Sequence, residues 1–265
     1  MKRLNENLAE EIPAGEQTEI KKPRKKKKRK KKNYLLRMII LILIGVSLYF
    51  FFSSALFDVD KIQVKNNNYY TAEQIIQLSG AKVGGNLFDA ETKTMKERLL
   101  KDAYMKNVSV KRILPNTITI IVEERKEATV IPYGKKFIIL DENGLVLRHS
   151  DIEPKLPLLL GMTIKEMTPG KALKVEENSV LTDTLFMLQS MEKNDMYFKK
   201  IDITNIIIKA YIYDSLICEG TPENILRSME NGNLQTVLQD LFAKGVERGI
   251  IKVGSDHYCS FNPMV

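Results

Sequence analysis

One long apolar run stands near the start of the chain, directly after a strongly charged tract. Residues 34–57, YLLRMIILILIGVSLYFFFSSALF, hold a single charged side chain, that of Arg37. At a rise of about 1.5 Å per residue, a helix of this length can cross a hydrocarbon core of roughly 30 Å. The pattern therefore predicts a transmembrane helix over residues 34–57.

Past this run, the pattern changes to short strands and amphipathic helices. Residues 58–70 alternate imperfectly, as in a strand, and end in an Asn-rich turn. Thr71 with Gln74 three residues later is a capping box, and the helix that it begins is expected to end at Gly80. Asp89 is expected to cap a second helix.

Two strands follow these helices, with a tight turn between them. The segments NVSVKRIL and TITIIVEER are separated by Pro115 and Asn116, which favour a turn. Residues 58–126 therefore read as a β-α-α-β-β unit. One face of its sheet is apolar, and we expect both helices to cover that face.

The remaining residues, 127–265, read as a larger, β-rich unit with some helices. Strands flank a DENG turn, LPLLLG is a strand or a loop, and residues 176–194 show helical spacing. ITNIIIKAYIYDSLICEG predicts two strands, and a helical segment follows that is expected to break at Gly232. GIIKVG and HYCSF predict the closing strands. The predicted fold class is α+β.

The charge distribution gives the apolar run an orientation. Eleven of the twelve residues 21–32 are basic, whereas the whole chain has a net charge of +8, so the rest of the chain is slightly acidic. Lys and Arg concentrate on the cytoplasmic side of membrane helices, which predicts a cytoplasmic, disordered tail over residues 1–33 and an external domain after the span. The membrane flank is formed by Lys25, Lys26, Lys27, Lys28, Arg29, Lys30, Lys31 and Lys32.

The alternatives for this region are a nucleic-acid arm and a cleaved signal peptide. An arm needs no apolar neighbour, and the near-neutral external part does not call for nucleic acid. Ser53 and Ala55 have the spacing of a cleavage site, but the apolar run is longer than a signal h-region. We expect the tract to bind anionic lipid headgroups instead, at roughly 1 kcal/mol per basic residue.

The reactive side chains are few. Cys218 and Cys259 are both expected outside the membrane, where either a disulfide or two free thiols are compatible with the sequence. With His149 and His257, they supply the residue types of a cysteine enzyme but no paired metal-binding spacing. No metal, cofactor or catalytic residue is predicted.

Several motifs together resemble the FtsQ/DivIB family of bacterial cell-division proteins, over residues 34–265. These are FDVDKIQV after a single span, VSVKRILPNTITIIVEER, ILDENGLVL, LPLLLG and a terminal SFNP. The long basic tail resembles the branch found in Gram-positive bacteria. IKVGSD departs from a D-L-R-like segment of many members. The most family-like positions, with an expected structural role, include Arg112, Pro115, Ile118, Ile120 and Glu123.

The resemblance implies a POTRA domain over residues 58–126 and a β domain over residues 127–265, after one transmembrane helix. It implies a non-enzymatic divisome scaffold, a single-pass type II membrane protein enriched at the division septum. Its external β domain would bind FtsL- and FtsB/DivIC-type single-span proteins and help to control septal peptidoglycan synthesis. The main alternative is a membrane-anchored, sortase-like cysteine transpeptidase, which shares the single span and an external β-rich domain.

The C-terminal segment HYCSFNP is the predicted partner site. A terminal strand exposes unpaired backbone N–H and C=O groups that can accept a strand from another chain, and Pro263 would stop further pairing. Tyr258 and Phe261 serve equally well as core residues of their own sheet. The residues predicted to contact the partner are Ile251, Val253, Tyr258, Ser260 and Phe261.

Two further expectations concern the POTRA hairpin. Arg112 and Glu123 are expected to form a cross-strand ion pair. Adjacent Glu123 and Glu124 should point to opposite faces of a strand, which makes them a poor acid/base pair.

Overall fold

The computed structural model of the protein describes residues 33–264, so the basic tract lies outside the described residues. The chain divides into two compact units after Tyr49. Helix α1 spans Tyr34–Phe52 and buries none of its side chains within the protein. Within the described residues, it is the one helix that is long and apolar enough to cross a membrane.

Helix α1 is five residues shorter than the apolar run from which it was predicted. The Ser54 hydroxyl donates to the Phe51 carbonyl at 2.7 Å, and Ala55–Phe57 form a short 3₁₀ turn. Phe57 is buried, with its ring centroid 5.3 Å from that of Phe88. The apolar run therefore includes the first core residue of the folded domain. For this reason the length of the run gave too long a prediction for the helix.

The β-α-α-β-β order is confirmed. The elements are β1 (Lys61–Lys65), α2 (Ala72–Ser79), α3 (Thr92–Leu99), β2 (Met105–Ile113) and β3 (Thr117–Glu124). The sheet order is β1-β3-β2, in which β3 runs parallel to β1 and antiparallel to β2. Both helices contribute to one core with the buried face of β3, through side chains that include Ile75, Leu99, Ile118, Ile120 and Val122.

The two helices of this unit begin differently. Thr71 Oγ1 accepts from the Gln74 amide and Gln74 Oε1 accepts from the Thr71 amide, so α2 begins with the predicted capping box and ends at left-handed Gly80. The prediction that Asp89 caps α3 is wrong. That helix begins at Thr92, because the preceding loop is bonded to the chain between α1 and β1, for example from the Leu87 amide to the Phe57 carbonyl at 2.8 Å.

The second part of the fold is built on a nine-stranded mixed sheet with the order β14-β13-β12-β11-β10-β7-β4-β5-β6. Its strands are β4 (Glu127–Tyr133), β5 (Lys136–Asp141), β6 (Val146–Ser150), β7 (Leu158–Leu160), β10 (Lys200–Asp202), β11 (Ile208–Tyr211), β12 (Leu216–Gly220), β13 (Gly249–Val253) and β14 (Cys259–Asn262). A separate hairpin is formed by β8 (Ile164–Glu166) and β9 (Lys174–Val175).

Three helices cover one face of the large sheet. They are α4 (Asn178–Met191), α5 (Pro222–Glu230) and α6 (Asn233–Ala243), and left-handed Gly232 produces the predicted break between the last two. Helix side chains such as Met187, Ile225 and Leu238 share one core with alternate residues of the strands. This burial is the main favourable term for the domain, at roughly 25 cal/mol per Å² of apolar surface.

The opposite face of β4, β5 and β6 is covered by the POTRA-type unit. Val130, Ile139 and Leu147 alternate with the residues that face the helices, and they form a small core with Tyr104. The Tyr104 hydroxyl donates to Glu127 at 2.6 Å, and Arg148 Nε donates to the same carboxylate at 2.9 Å.

An ion pair joins the two sheets where β3 leads into β4. Arg125 Nη1 lies 2.7 Å from Asp141 Oδ2, and the Asp141 side chain is only 2 % exposed. The other oxygen of Asp141 accepts from the amides of Asn143 and Leu145, which shapes the β5–β6 turn. We call the contacts of Arg125, Asp141, Tyr104, Glu127 and Arg148 the junction.

We expect Asp141→Ala to destabilise the protein by about 3 kcal/mol. The substitution leaves the Arg125 charge without its partner and removes two hydrogen bonds from the turn. Denaturant unfolding measures the loss. Asp151→Ala is the matched control, because Asp151 pairs with Lys136 at 3.8 Å on an exposed surface and should change stability by less than about 1 kcal/mol. Equal effects of the two substitutions would contradict the role given to the junction.

Candidate partner-binding edge

The last strand, β14, forms one edge of the nine-stranded sheet. It pairs antiparallel with β13, and the register places Ile251 opposite Phe261 and Val253 opposite Cys259. Among the described strands, none pairs with its other side. The strand is four residues long and is followed directly by Pro263.

The register identifies the backbone groups that this edge presents. The Gly254 amide donates to the Tyr258 carbonyl at 3.1 Å, immediately before the strand. In an antiparallel ladder, hydrogen-bonded pairs alternate with non-bonded ones, so Ser260 faces β13 with its backbone groups. The N–H and C=O groups of Cys259 and Phe261 therefore point away from β13 to the open edge.

The other edge of this sheet is partly covered. The Val146 amide of β6 donates to the Lys171 carbonyl at 2.9 Å, and the Val146 carbonyl accepts from the Gly170 amide at 2.8 Å. Leu145 forms an isolated bridge with Ala172. The chain between β8 and β9 therefore occupies the start of this edge.

The small sheet also has two edges, and both carry several basic side chains. Lys61 and Lys65 bound β1, whereas Lys106, Lys111 and Arg112 lie on β2. Charged side chains on an edge strand discourage the addition of a further strand. The β14 sequence, CSFN, has no charge. Of the four edges of the two larger sheets in the described residues, β14 is the best suited to accept a strand.

The predicted contact residues differ in burial and fall into three groups. Ile251 and Val253 are buried in the core beneath α5 and α6, so their side chains do not reach a partner. Tyr258 is 69 % exposed, and Ser260 is also exposed. Phe261 is half-buried and lies over Gly249, where a Cβ would collide with the ring. Its ring therefore packs against the sheet.

The most family-like residues, all in the hairpin of β2 and β3, make contacts within the fold. Ile118 and Ile120 are buried in the core between β3 and the helices α2 and α3, and Pro115 lies in the β2–β3 turn. The predicted Arg112–Glu123 pair is wrong, because the register puts Arg112 opposite Ile118. The Arg112 guanidinium instead donates to two carbonyls of the loop before α3, of which the nearer is that of Ala90 at 2.7 Å.

Glu123 and Glu124 make separate contacts. Glu123 lies 3.4 Å from Lys106 on an exposed surface. Glu124 accepts three backbone N–H bonds, from Asn68, Tyr69 and Tyr70, and so fixes the turn after β1. The Glu124 contact was not predicted, since its partners lie more than fifty residues away and no local pattern marks them.

Neither cysteine has the surroundings of an enzymatic nucleophile. The thiols are not bonded to each other. Burial raises the pKa of the Cys218 thiol, and Cys259 and Glu219 add to the increase. Burial also raises the pKa of the Cys259 thiol, against the opposing effect of its contact with the Ser228 hydroxyl at 3.1 Å. His149 lies on β6, at the opposite edge of the sheet from Cys259.

Comparisons with known proteins agree with this architecture. The model of the FtsQ-type POTRA domain matches residues 57–125. The cell division protein DivIB of Clostridium acetobutylicum is 29 % identical over 71 % of this chain and 77 % of its own length. DivIB of Clostridium tetani is 29 % identical over 76 % and 78 %. The cell division protein FtsQ of a Geobacter species is 30 % identical over 58 % and 55 %.

An apolar N-terminal helix that is long enough to cross a membrane, a POTRA-type domain and a β-rich domain place the chain in the class of POTRA-bearing proteins. Within that class, the chain is similar to the cell division proteins DivIB and FtsQ. These similarities confirm the resemblance to the FtsQ/DivIB family that the sequence motifs showed.

We predict that both thiols react slowly with iodoacetamide at pH 7 in the folded protein, because burial keeps them protonated. Cys218 should be modified only on unfolding, and Cys259 more slowly than free cysteine. Mass spectrometry of the native and the urea-unfolded chain measures both rates. Native Cys259 that reacts as fast as free cysteine would indicate a thiolate and would favour the transpeptidase alternative.

Proposed function

We propose that this chain is a non-enzymatic scaffold of the divisome, which binds FtsL- and FtsB/DivIC-type single-span proteins along β14. The observation that carries the proposal is the open, uncharged edge of the large sheet. A partner strand placed there would bond to the outward backbone groups of Cys259 and Phe261. Such binding would help to control septal peptidoglycan synthesis by recruiting or positioning the proteins that carry it out.

The membrane placement is part of the same proposal. Helix α1, preceded by a tract with eleven basic residues, is proposed to span the bacterial cell membrane once, with the N-terminus inside. Everything after the span would lie outside, at the division septum. The basic tract would hold anionic headgroups. The proposed domains are residues 58–126 and 127–265.

Specificity for the partner would come from side chains within β14 and just before it. Tyr258 projects into solvent just before β14 and has the amphipathic ring typical of interface hot spots. Ser260 and Asn262 are both exposed. Alternate residues of a partner strand would lie beside them. Phe261 contributes its backbone and keeps its ring in the sheet.

The transpeptidase alternative is weaker. A nucleophilic thiol needs a nearby base and a lowered pKa, whereas burial raises the pKa of Cys218 and of Cys259. The Cys259 sulfur contacts a serine hydroxyl, and Cys218 is enclosed by the core. These features favour packing roles for both cysteines.

We predict that Tyr258→Ala weakens binding of an FtsB/DivIC-type partner by about tenfold, or ~1.4 kcal/mol, without changing the free energy of unfolding. Titration of the full chain in lipid nanodiscs with the purified partner measures the affinity.

Tyr197→Ala is the matched control, because Tyr197 is also exposed but lies before β10, in the interior of the sheet order. It should leave the affinity unchanged. Phe261→Ala is a poorer test, since loss of its ring also disturbs the core. Unchanged affinity in Tyr258→Ala, or equal losses in both tyrosine variants, would contradict the proposed edge.

A further inference from the structure

The end of the POTRA sheet from which β1 begins presents a group of exposed apolar side chains. β3 runs parallel to β1, so the turn that precedes β3 must lie at the same end of the sheet as the start of β1. The Asp60 amide donates to the Asn116 carbonyl at 3.0 Å and fixes this proximity. The group, which we call the apical patch, consists of Leu56, Val83, Phe88, Ile113 and Leu114.

These side chains are more exposed than apolar residues of a self-contained domain need to be. Val83 and Leu114 are each 62 % exposed, although both lie in segments that are otherwise well bonded. The Val59 amide donates to Gly85 at 2.8 Å, and the Arg112 guanidinium ties the β2–β3 hairpin to the loop before α3. Hydrogen bonds therefore hold the segments that carry the patch in place.

The patch adjoins Phe52, which belongs to the same compact unit of the chain. The Phe88 ring centroid lies 5.2 Å from that of Phe52, in the last turn of α1. Asn86 Nδ2 donates to the Phe52 carbonyl at 2.8 Å. If α1 crosses the bilayer as proposed, Phe88 lies within about one helical turn of the point where the chain leaves it.

We propose that the apical patch rests in the external leaflet of the membrane, at the boundary between headgroups and acyl chains. This inference rests on the proposed membrane span. Amphipathic surfaces with Phe, Leu and Ile beside basic side chains bind in this layer. Exposed Lys82, Lys111 and Arg112 lie beside the patch and suit anionic headgroups, whereas exposed Asp60 and Asp89 limit its depth.

Such contact would restrain the orientation of the POTRA domain on the membrane. A single helix leaves an attached domain free to swing, whereas a second contact at Leu114 removes much of that freedom. The β3 strand has eight residues and leads from this end to the junction, about 26 Å away at ~3.3 Å per residue. The patch would thus set how the β domain is held above the membrane.

The absence of tryptophan from the chain permits a direct test. Three single-tryptophan variants of the full chain, Leu114→Trp, Ile42→Trp and Ile152→Trp, are reconstituted in vesicles of phosphatidylethanolamine and phosphatidylglycerol. Some vesicles carry bromine near the upper end of the acyl chains. Ile152 is 79 % exposed and lies two residues after the end of β6, in the large sheet and outside the apical patch.

We expect brominated lipid to quench most of the emission of Leu114→Trp, and aqueous iodide to have little effect on it. Ile152→Trp should respond only to iodide. Ile42→Trp reports on the span itself. Its quenching by brominated lipid tests the span separately from the docking of the patch. If Ile42→Trp is quenched and Leu114→Trp responds to iodide, the span stands and the docking of the patch is overturned.

Two other results also overturn the inference. Protection of Leu114→Trp from iodide without quenching by brominated lipid would mean that a second copy of the chain covers the patch. If brominated lipid does not quench Ile42→Trp, wherever the bromine is placed along the acyl chains, both the membrane span and the docking are overturned.

Discussion

The buried ion pair between Arg125 and Asp141 joins the two folded domains at the point where one strand leads into the next. Only two residues separate β3 from β4, so the chain itself brings the sheets close together. The ion pair and the Tyr104 contacts turn this closeness into one defined arrangement. Loss of the Arg125 charge with Asp141 still buried would leave an unpaired carboxylate at a cost of several kcal/mol, so the two side chains favour this one arrangement.

This arrangement decides which parts of the large sheet remain open. The POTRA domain covers one face of β4, β5 and β6, and the helices cover the other face of the sheet. β14 lies eight inter-strand spacings from β6, or roughly 38 Å at ~4.8 Å per strand. The candidate partner edge is therefore remote from the junction, and a partner strand can bind there without disturbing the contact between the domains.

The sequence predicted the fold well where signals are local. The capping box at Thr71, the break at Gly232 and the β-α-α-β-β order of elements along the chain all arise from neighbouring residues or from alternation along the chain. The end of α1 was missed because Phe57 is as apolar as the helix before it. Hydropathy cannot distinguish a side chain that faces lipid from one that enters a core.

The contacts between distant segments could not be predicted from the chain alone. The structure brings Tyr104, Glu127 and Arg148 together although no spacing relates them. At the candidate edge, alternation predicted strands but not their neighbours. Ile251 and Val253 are buried because α5 and α6 pack over β13, and no pattern in the sequence indicates that packing. Tyr258 has no such cover and is exposed.

Amide hydrogen exchange of the full chain in nanodiscs tests most directly whether a partner strand binds along β14. With a saturating amount of an FtsB/DivIC-type partner, we expect new protection at the amides of Cys259 and Phe261, which point to the open edge. The Ser260 amide, already bonded to β13, should change much less. Saturated binding that leaves the exchange of Cys259 and Phe261 unchanged would contradict the claim.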